Sequence, residues 1–198
     1  MDTKRTDLLN EIFSYNIQEK EMTRKNWEEI SIYQKLSEEF IREFENKVDW
    51  KEVSRNQHLS ENFIREFKEK VVWTYISEKQ KLSEDLIQEF ENKVDWDYIS
   101  IFQNLSEDFI REFQNKVNWG NVTKFQDLSE KFMIEFENKI NWGWYMHHRN
   151  PSYTMIIKYI VKTNCTNTLY INLEHLNEVQ KKEINRILDM KKIFTKTS

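Results

Sequence analysis

Glutamine recurs at Gln34, Gln57, Gln80, Gln103 and Gln126, always 23 residues apart. A side chain that carries two N–H donors and a carbonyl acceptor at one fixed register could read a ligand as a ladder. The same chemistry suits a structural duty, because a Gln beside an inter-helix turn can bond an unpaired backbone group in its own copy or in its neighbour, and buried polar groups need such partners. The structural duty is the stronger expectation, since every copy carries the residue. His147 and His148 stand beside Trp144 and Tyr145, with His58 and His175 far off in sequence. Adjacent histidines on a helix point in different directions and no Cys or second carboxylate lies at ligand spacing, so no metal is expected. Cys165 lies in an Asn/Thr-rich stretch with no nearby His, which reads as a plain thiol rather than a nucleophile. Acidic residues fall in helix first turns and salt-pair positions, and the two glycines, Gly120 and Gly143, form no phosphate loop. The chain is expected to be non-enzymatic, with no catalytic residue and no cofactor.

The elements that would position these residues follow from tryptophan. Trp27, Trp50, Trp73, Trp96, Trp119 and Trp142 are each 23 residues after the last, which gives five full copies and a core position in each. Counting Trp as offset 0, offsets 3 and 9 are always aliphatic, offset 13 is Phe or Leu, offset 14 Ile or Met, offset 17 Phe and offset 21 Val or Ile. Spacings of 4 with a neighbour at 14 make one helical face. The second half of a copy, SEDFIREFQNKV at 106–117, has a Ser N-cap followed by acidic residues, predicting a helix of about 11 residues and about 17 Å at 1.5 Å per residue. Glu43 and Lys47, and their equivalents in every copy, are spaced for i,i+4 pairs. The first half is a shorter helix with Asp49, Asp95, Asn118 or Asn141 as its cap, and Val72 breaks that rule, marking the joint before Trp73 as the loosest.

With two Gly and one Pro in 198 residues, 14% aromatic side chains and no β-type turn signals, the fold class is all-α: an αα-solenoid of five 23-residue helix-turn-helix repeats with helical caps at both ends. The divisions are 1–26, an N-terminal capping helix with Asp7 as N-cap and Leu8, Leu9, Ile12 and Phe13 on one side; 27–141, the repeats; and 142–198, a basic, mostly helical C-terminal cap. Asn150-Pro151 would start a helix over YTMIIKYIVK, whose β-branched content leaves a strand open. Residues 172–192 would form a final helix with Leu173, Leu176, Ile184, Ile187 and Leu188 on one face.

The pattern DWxxISxxQxLSExFIxEFxxKVDW resembles short tandem repeats of uncharacterised proteins of giant DNA viruses of the mimivirus type. The resemblance covers residues 26–142 and departs at Leu86, Val72 and Gly120. It implies residence in an infected host cytoplasm or in the particle, and it carries no activity with it. A single Cys and the lack of any apolar run of about 18 residues also favour a cytoplasmic chain with no membrane partner.

Function should then lie where copies differ. Ile32, Tyr33, Tyr75, Tyr98, Ile101, Phe102 and Phe125 occupy varying offsets 2, 5 and 6 of the short helices, as a contact strip for a partner protein, self-association included, or as packing between neighbouring helices. Charge gives the alternative. The repeats hold 25 acidic and 16 basic side chains, net −9, whereas 142–198 hold 4 and 9, net +5. Lys181, Lys182, Arg186, Lys191 and Lys192 could touch nucleic acid in a structural or virion-packaged protein, or could be the solvated face of a cap, which is the preferred reading.

Overall fold

The computed structural model describes residues 3–12, 22–163 and 171–196, with the side chains of 3, 4, 11, 12 and 193–196 left aside. Among the described residues there are fourteen helices and no strand. The chain divides into two compact units, 1–104 and 105–198, each taken by itself below. Both are built from the same repeat, so the all-α solenoid architecture read from the Trp spacing is what the chain adopts.

In the first unit α1 (Thr3–Ile12) precedes three helix pairs: α2 (Arg24–Tyr33) with α3 (Glu38–Glu43), α4 (Trp50–Asn56) with α5 (Glu61–Glu66), and α6 (Trp73–Lys79) with α7 (Glu84–Glu89); α8 (Trp96–Phe102) follows. Successive short helices α2, α4, α6 and α8 pack side by side. Phe40, Phe63 and Leu86 at offset 13, and Ile41, Ile64 and Ile87 at offset 14, are almost wholly buried. Each Trp lays its ring on the offset-17 Phe of its own copy, with centroids 5.1 Å apart for Trp27–Phe44, 4.9 Å for Trp50–Phe67 and 4.6 Å for Trp73–Phe90. Only Trp27 is fully buried. The later ones are half-buried, because the indole must also reach backward with its N–H, and the Lys70 ammonium lies 5.8 Å from the Trp50 ring centroid.

The second helix of each copy is shorter than its sequence suggests. The α-helical segment stops after six residues, at Glu66 or Glu89, and the next residue, Phe67 or Phe90, takes φ near −110° with ψ near 30°. The chain then tightens, with Lys70 N–H bonding Phe67 O and Lys93 N–H bonding Phe90 O, both at 2.8 Å. That turn places the lysines off the helical face. The glutamates instead take the arginine of the preceding copy, Arg42 to Glu66 at 2.8 Å and Arg65 to Glu89 at 2.7 Å, while Lys70 reaches Glu45 and Lys93 reaches Glu69. Such exposed pairs contribute about 0–1 kcal/mol each, so they set register more than stability.

Helix α1 begins before Asp7, which lies inside it rather than at its cap. Packing overrides the cap signal: Leu8 and Leu9 are buried, and Arg5 bonds Glu43 at 3.0 Å and sits 4.5 Å over the Phe44 ring. Arg5 thereby acts on Glu43 as Arg42 acts on Glu66. Phe13 and the rest of 13–21, the middle of the expected helix over 7–25, lie outside the described residues.

The second unit holds α9 (Glu107–Glu112), α10 (Trp119–Phe125), α11 (Glu130–Glu135), α12 (Trp142–His148), α13 (Tyr153–Lys162) and α14 (Glu178–Lys196). Here the fold continues past the point where the sequence pattern stops. Asn141 caps α12 through Trp144 N–H, and Ser152, ten residues after Trp142 as Ser37 is after Trp27, caps α13 through Met155 N–H at 3.2 Å. Ser152 N–H bonds Glu130 as Ser129 N–H bonds Glu107. Helices α12 and α13 are therefore a sixth copy with altered letters, and the 152–163 segment is helix, not strand. Its cap is Ser152 rather than Asn150, because the hydroxyl stands in repeat register with a first-turn N–H, and Pro151 precedes the cap. Helix α14 starts at Glu178 rather than 172, where Asn177 and Gln180 bond each other's backbone N–H groups reciprocally. Leu173 and Leu176 lie in the preceding turn, yet Leu176, Ile184 and Leu188 are buried against α13, with Leu173 and Ile187 packed on the same core. Among the described residues no helix is long and apolar enough to cross a membrane.

Val72 is the one N-cap of a short repeat helix with no side-chain cap bond, although its φ −92° and ψ 102° match the −89° and 106° of Asp95. V72D should therefore add about 1 kcal/mol of stability, read as a raised urea midpoint with an unchanged slope. A midpoint that does not rise would remove the capping explanation.

Candidate functional site

A six- or seven-residue helix is nearly all ends, and its last carbonyls and first N–H groups lack partners inside it. The glutamine ladder answers this need. Gln57 closes its own helix with a backbone N–H to Val53 O at 3.0 Å, and its amide reaches back one copy. There it donates to Ser31 O at 2.9 Å and Gln34 O at 2.8 Å, and accepts from Leu36 N–H at 2.9 Å. Gln80 does the same to Ser54 O, Gln57 O and Leu59 N–H, and Gln103 to Ser77 O, Gln80 O and Leu82 N–H. In the second unit Gln126 accepts from Leu105 N–H at 3.0 Å. The amides of Gln57, Gln80 and Gln103 are buried, with both N–H donors and the oxygen engaged in the joint; Gln126 is buried too, and Gln34 alone of the five is exposed.

Two further sets of side chains serve the same joint. From Trp50 onward each repeat Trp Nε1 donates to a carbonyl in the tight turn of the preceding copy: Trp50 to Glu45 O at 2.8 Å, Trp73 to Lys68 O, Trp96 to Glu91 O, Trp119 to Gln114 O and Trp142 to Glu137 O. The offset-4 hydroxyl is buried and relays. Ser54 Oγ donates to Trp50 O at 2.7 Å and accepts from Val72 N–H at 2.9 Å, so even the uncapped Val72 is held; Ser31, Ser77 and Thr123 do likewise. Ser or Thr stands four residues after the Trp in all five copies, the S of the DWxxIS pattern, but the sequence does not name its partner across the joint. The offset-11 Glu is more than a first-turn acid: Glu38 accepts from Ser60 N–H at 2.6 Å and Glu61 from Ser83 N–H at 2.7 Å.

No family model, curated protein or solved structure matches the chain significantly. What this molecule can do rests on its own surface.

The strip residues separate by offset. Tyr33, Phe102 and Phe125, all at offset 6, are 78%, 52% and 54% exposed. Ile32, Tyr75, Tyr98 and Ile101 are half-buried; Tyr98 stacks on Phe102 with centroids 5.9 Å apart, and the Arg55 guanidinium lies 5.7 Å from the Tyr75 ring. The five cations of the basic cluster all lie on α14. Lys181 pairs with Glu178 and Lys192 with Asp189, each at 3.0 Å, and the Lys191 ammonium donates to the carbonyls of Ile160 and Thr163 at the end of α13. Lys182 and Arg186 are exposed. His147 and His148 are exposed, with His148 stacked on Trp144 at 4.8 Å, and His175 bonds Pro151 O. Among the described residues no group of three His, Cys, Asp or Glu could hold a metal; Cys165 lies outside them.

Removing one buried ladder amide leaves an N–H and two carbonyls unmatched at about 1–3 kcal/mol each. Gln80→Ala should thus cost at least about 3 kcal/mol in chemical denaturation and speed exchange of the Leu59 amide, whereas Gln34→Ala should stay within about 0.5 kcal/mol. Equal effects would show that the ladder is not what joins the copies. Burial acts to raise the Glu61 carboxyl, but the Ser83 N–H and hydroxyl and Arg65 outweigh it and hold it below the ordinary value. Its contribution is therefore present above the unfolded value, about 4.3, and lost as pH falls through the lower folded value. Stability of E61Q should differ from the parent at neutral pH, and the gap should close in an acid titration.

Proposed function

We propose that the chain is a non-enzymatic helical-repeat scaffold that binds a partner protein, a second copy of itself included, through aromatic rings exposed on its short helices. One observation carries this. Among the described large apolar side chains of the repeats the three most exposed, Tyr33, Phe102 and Phe125, all stand at offset 6, each more than half exposed, with Ile134 next at 40%. Aromatic rings in that setting are what protein interfaces bury as anchors. The polar letters common to all copies are occupied by joints, so recognition falls to the letters that vary.

The alternative, contact with nucleic acid by a structural or virion-packaged protein, draws less support, because three of the five cations expected to form its surface hold carboxylates or carbonyls of the cap. Two remaining cations release few counterions. The likeness to giant-virus repeats makes the host cytoplasm or the particle the setting for either reading.

The test is Tyr33→Ser, Phe102→Ser and Phe125→Ser combined, changes at exposed positions that leave the joints intact. Partner affinity or self-association, followed by quantitative co-capture and light scattering against the parent, should fall at least about thirtyfold, the loss of one anchor of about 2 kcal/mol. Unchanged capture and unchanged mass would exclude these rings as anchors.

A further inference from the structure

The glutamine ladder is interrupted at one step, and a pocket lies there. Arg149 stands seven residues after Trp142, where the earlier copies have Gln. Its Nη2 donates to Lys124 O at 2.9 Å. A guanidinium has five N–H donors and no acceptor, so it cannot serve the N–H of Leu128 as Gln57, Gln80, Gln103 and Gln126 serve those of Leu36, Leu59, Leu82 and Leu105. Among the described residues nothing accepts from Leu128 N–H. Leu128 instead lines a pocket with Thr123, Gln126, Met133, Tyr145 and Arg149, and Asp127 and Asn150 stand at the same opening.

We infer that this pocket receives a primary carboxamide, the side chain of an Asn or Gln on a partner protein, which would stand where the ladder's missing amide would be. The complementarity is set by the four intact steps. In those of Gln57, Gln80 and Gln103 a carboxamide oxygen accepts from the Leu N–H, and its nitrogen donates to carbonyls at offsets 4 and 7, positions that Thr123 and Gln126 hold here. A carboxylate could also accept from Leu128 N–H and Arg149, but it has no donor for the carbonyl side and would meet Asp127. The negative surroundings are felt by Tyr145, whose phenol is raised by burial first and by Glu130 and Asp127 after it, partly offset by Arg149. The wall of Met133, Leu128 and the Tyr145 ring suits the methylene that carries the amide. The inference stands apart from the aromatic face, since a small capped amino acid tests it without a partner protein.

The experiment follows the Leu128 amide of the full chain by 15N NMR during addition of N-acetyl-glutamine methylamide, with the glutamate and norvaline analogues and free glutamine as separate arms. Saturable movement of the Leu128 resonance is expected with capped glutamine, about tenfold weaker or more with capped glutamate, and none with norvaline. No movement, or equal movement with norvaline, would overturn the site; equal response to free glutamine would overturn its assignment to a partner's side chain. Because one amide binds weakly, R149Q gives a second reading. It should rebuild the ladder, slow hydrogen exchange at Leu128 about tenfold or more toward that of Leu59 and Leu82, and abolish the probe's effect. An R149Q chain whose Leu128 exchanges as in the parent would show that the pocket is not shaped for a carboxamide.

Discussion

The constraint behind this structure is that its repeat helices are too short to satisfy their own backbones. A seven-residue helix bonds few of its peptide groups internally, and the turns between helices leave others exposed to an apolar interior where an unmatched carbonyl or N–H is costly. Nearly every recurrent polar letter answers that constraint. The Gln amide ties the turn of one copy to the helix end of the next, the Ser hydroxyl links a Trp carbonyl to the incoming chain, the indole N–H takes a carbonyl of the tight turn, and the Ser–Glu pair caps one helix while holding the start of its neighbour. Hydrophobic residues supply the driving force, but these bonds decide where one copy sits on another.

The same demand explains features that look like imperfections. A Trp devoted only to the core would be buried completely, whereas one that also delivers its N–H across the joint must stay near the surface, where Lys70 and Lys139 set their ammonium groups over Trp50 and Trp119. The second helix ends early because Phe67 and its equivalents turn the chain toward that joint. At the flanks the solution is imitated rather than copied: Arg5 engages Glu43 in the manner of a preceding repeat, and Asn172 donates to Arg149 O, 23 residues before it, as Gln57 does to Gln34 O.

Much of this was legible in the letters. The Trp interval, the apolar spacing, the Ser and Asp caps and the defect at Val72 each report a local rule, and local rules survive in one sequence. The structural duty of the glutamines was also readable, since a polar residue kept beside every turn has an obvious backbone to serve. Helix length was not, because a Phe leaving helical geometry has the same hydrophobic signature as one that stays. The i,i+4 Glu–Lys spacing misled for that reason. Bonds from Ser54 to Val72 or Glu38 to Ser60 join residues 18 and 22 apart, which no short motif encodes. The sixth copy was hidden because Met155, Tyr159 and Arg149 replace the expected letters; Ser152 at its regular distance from Trp142 was the available sign. Of the aromatic strip, position along the chain identified candidates, but only packing separated Tyr33, Phe102 and Phe125 from their half-buried neighbours.

A joint made of identical donors and acceptors at both faces has a genetic consequence. Any unit can follow any other, so unequal recombination between near-identical stretches can lengthen or shorten the array by whole copies while every junction remains chemically complete. A one-residue insertion has no such freedom, since it would set amide, hydroxyl and indole out of step together. Selection can therefore explore reach and valency in steps of one repeat, and recognition independently in the letters outside the joint.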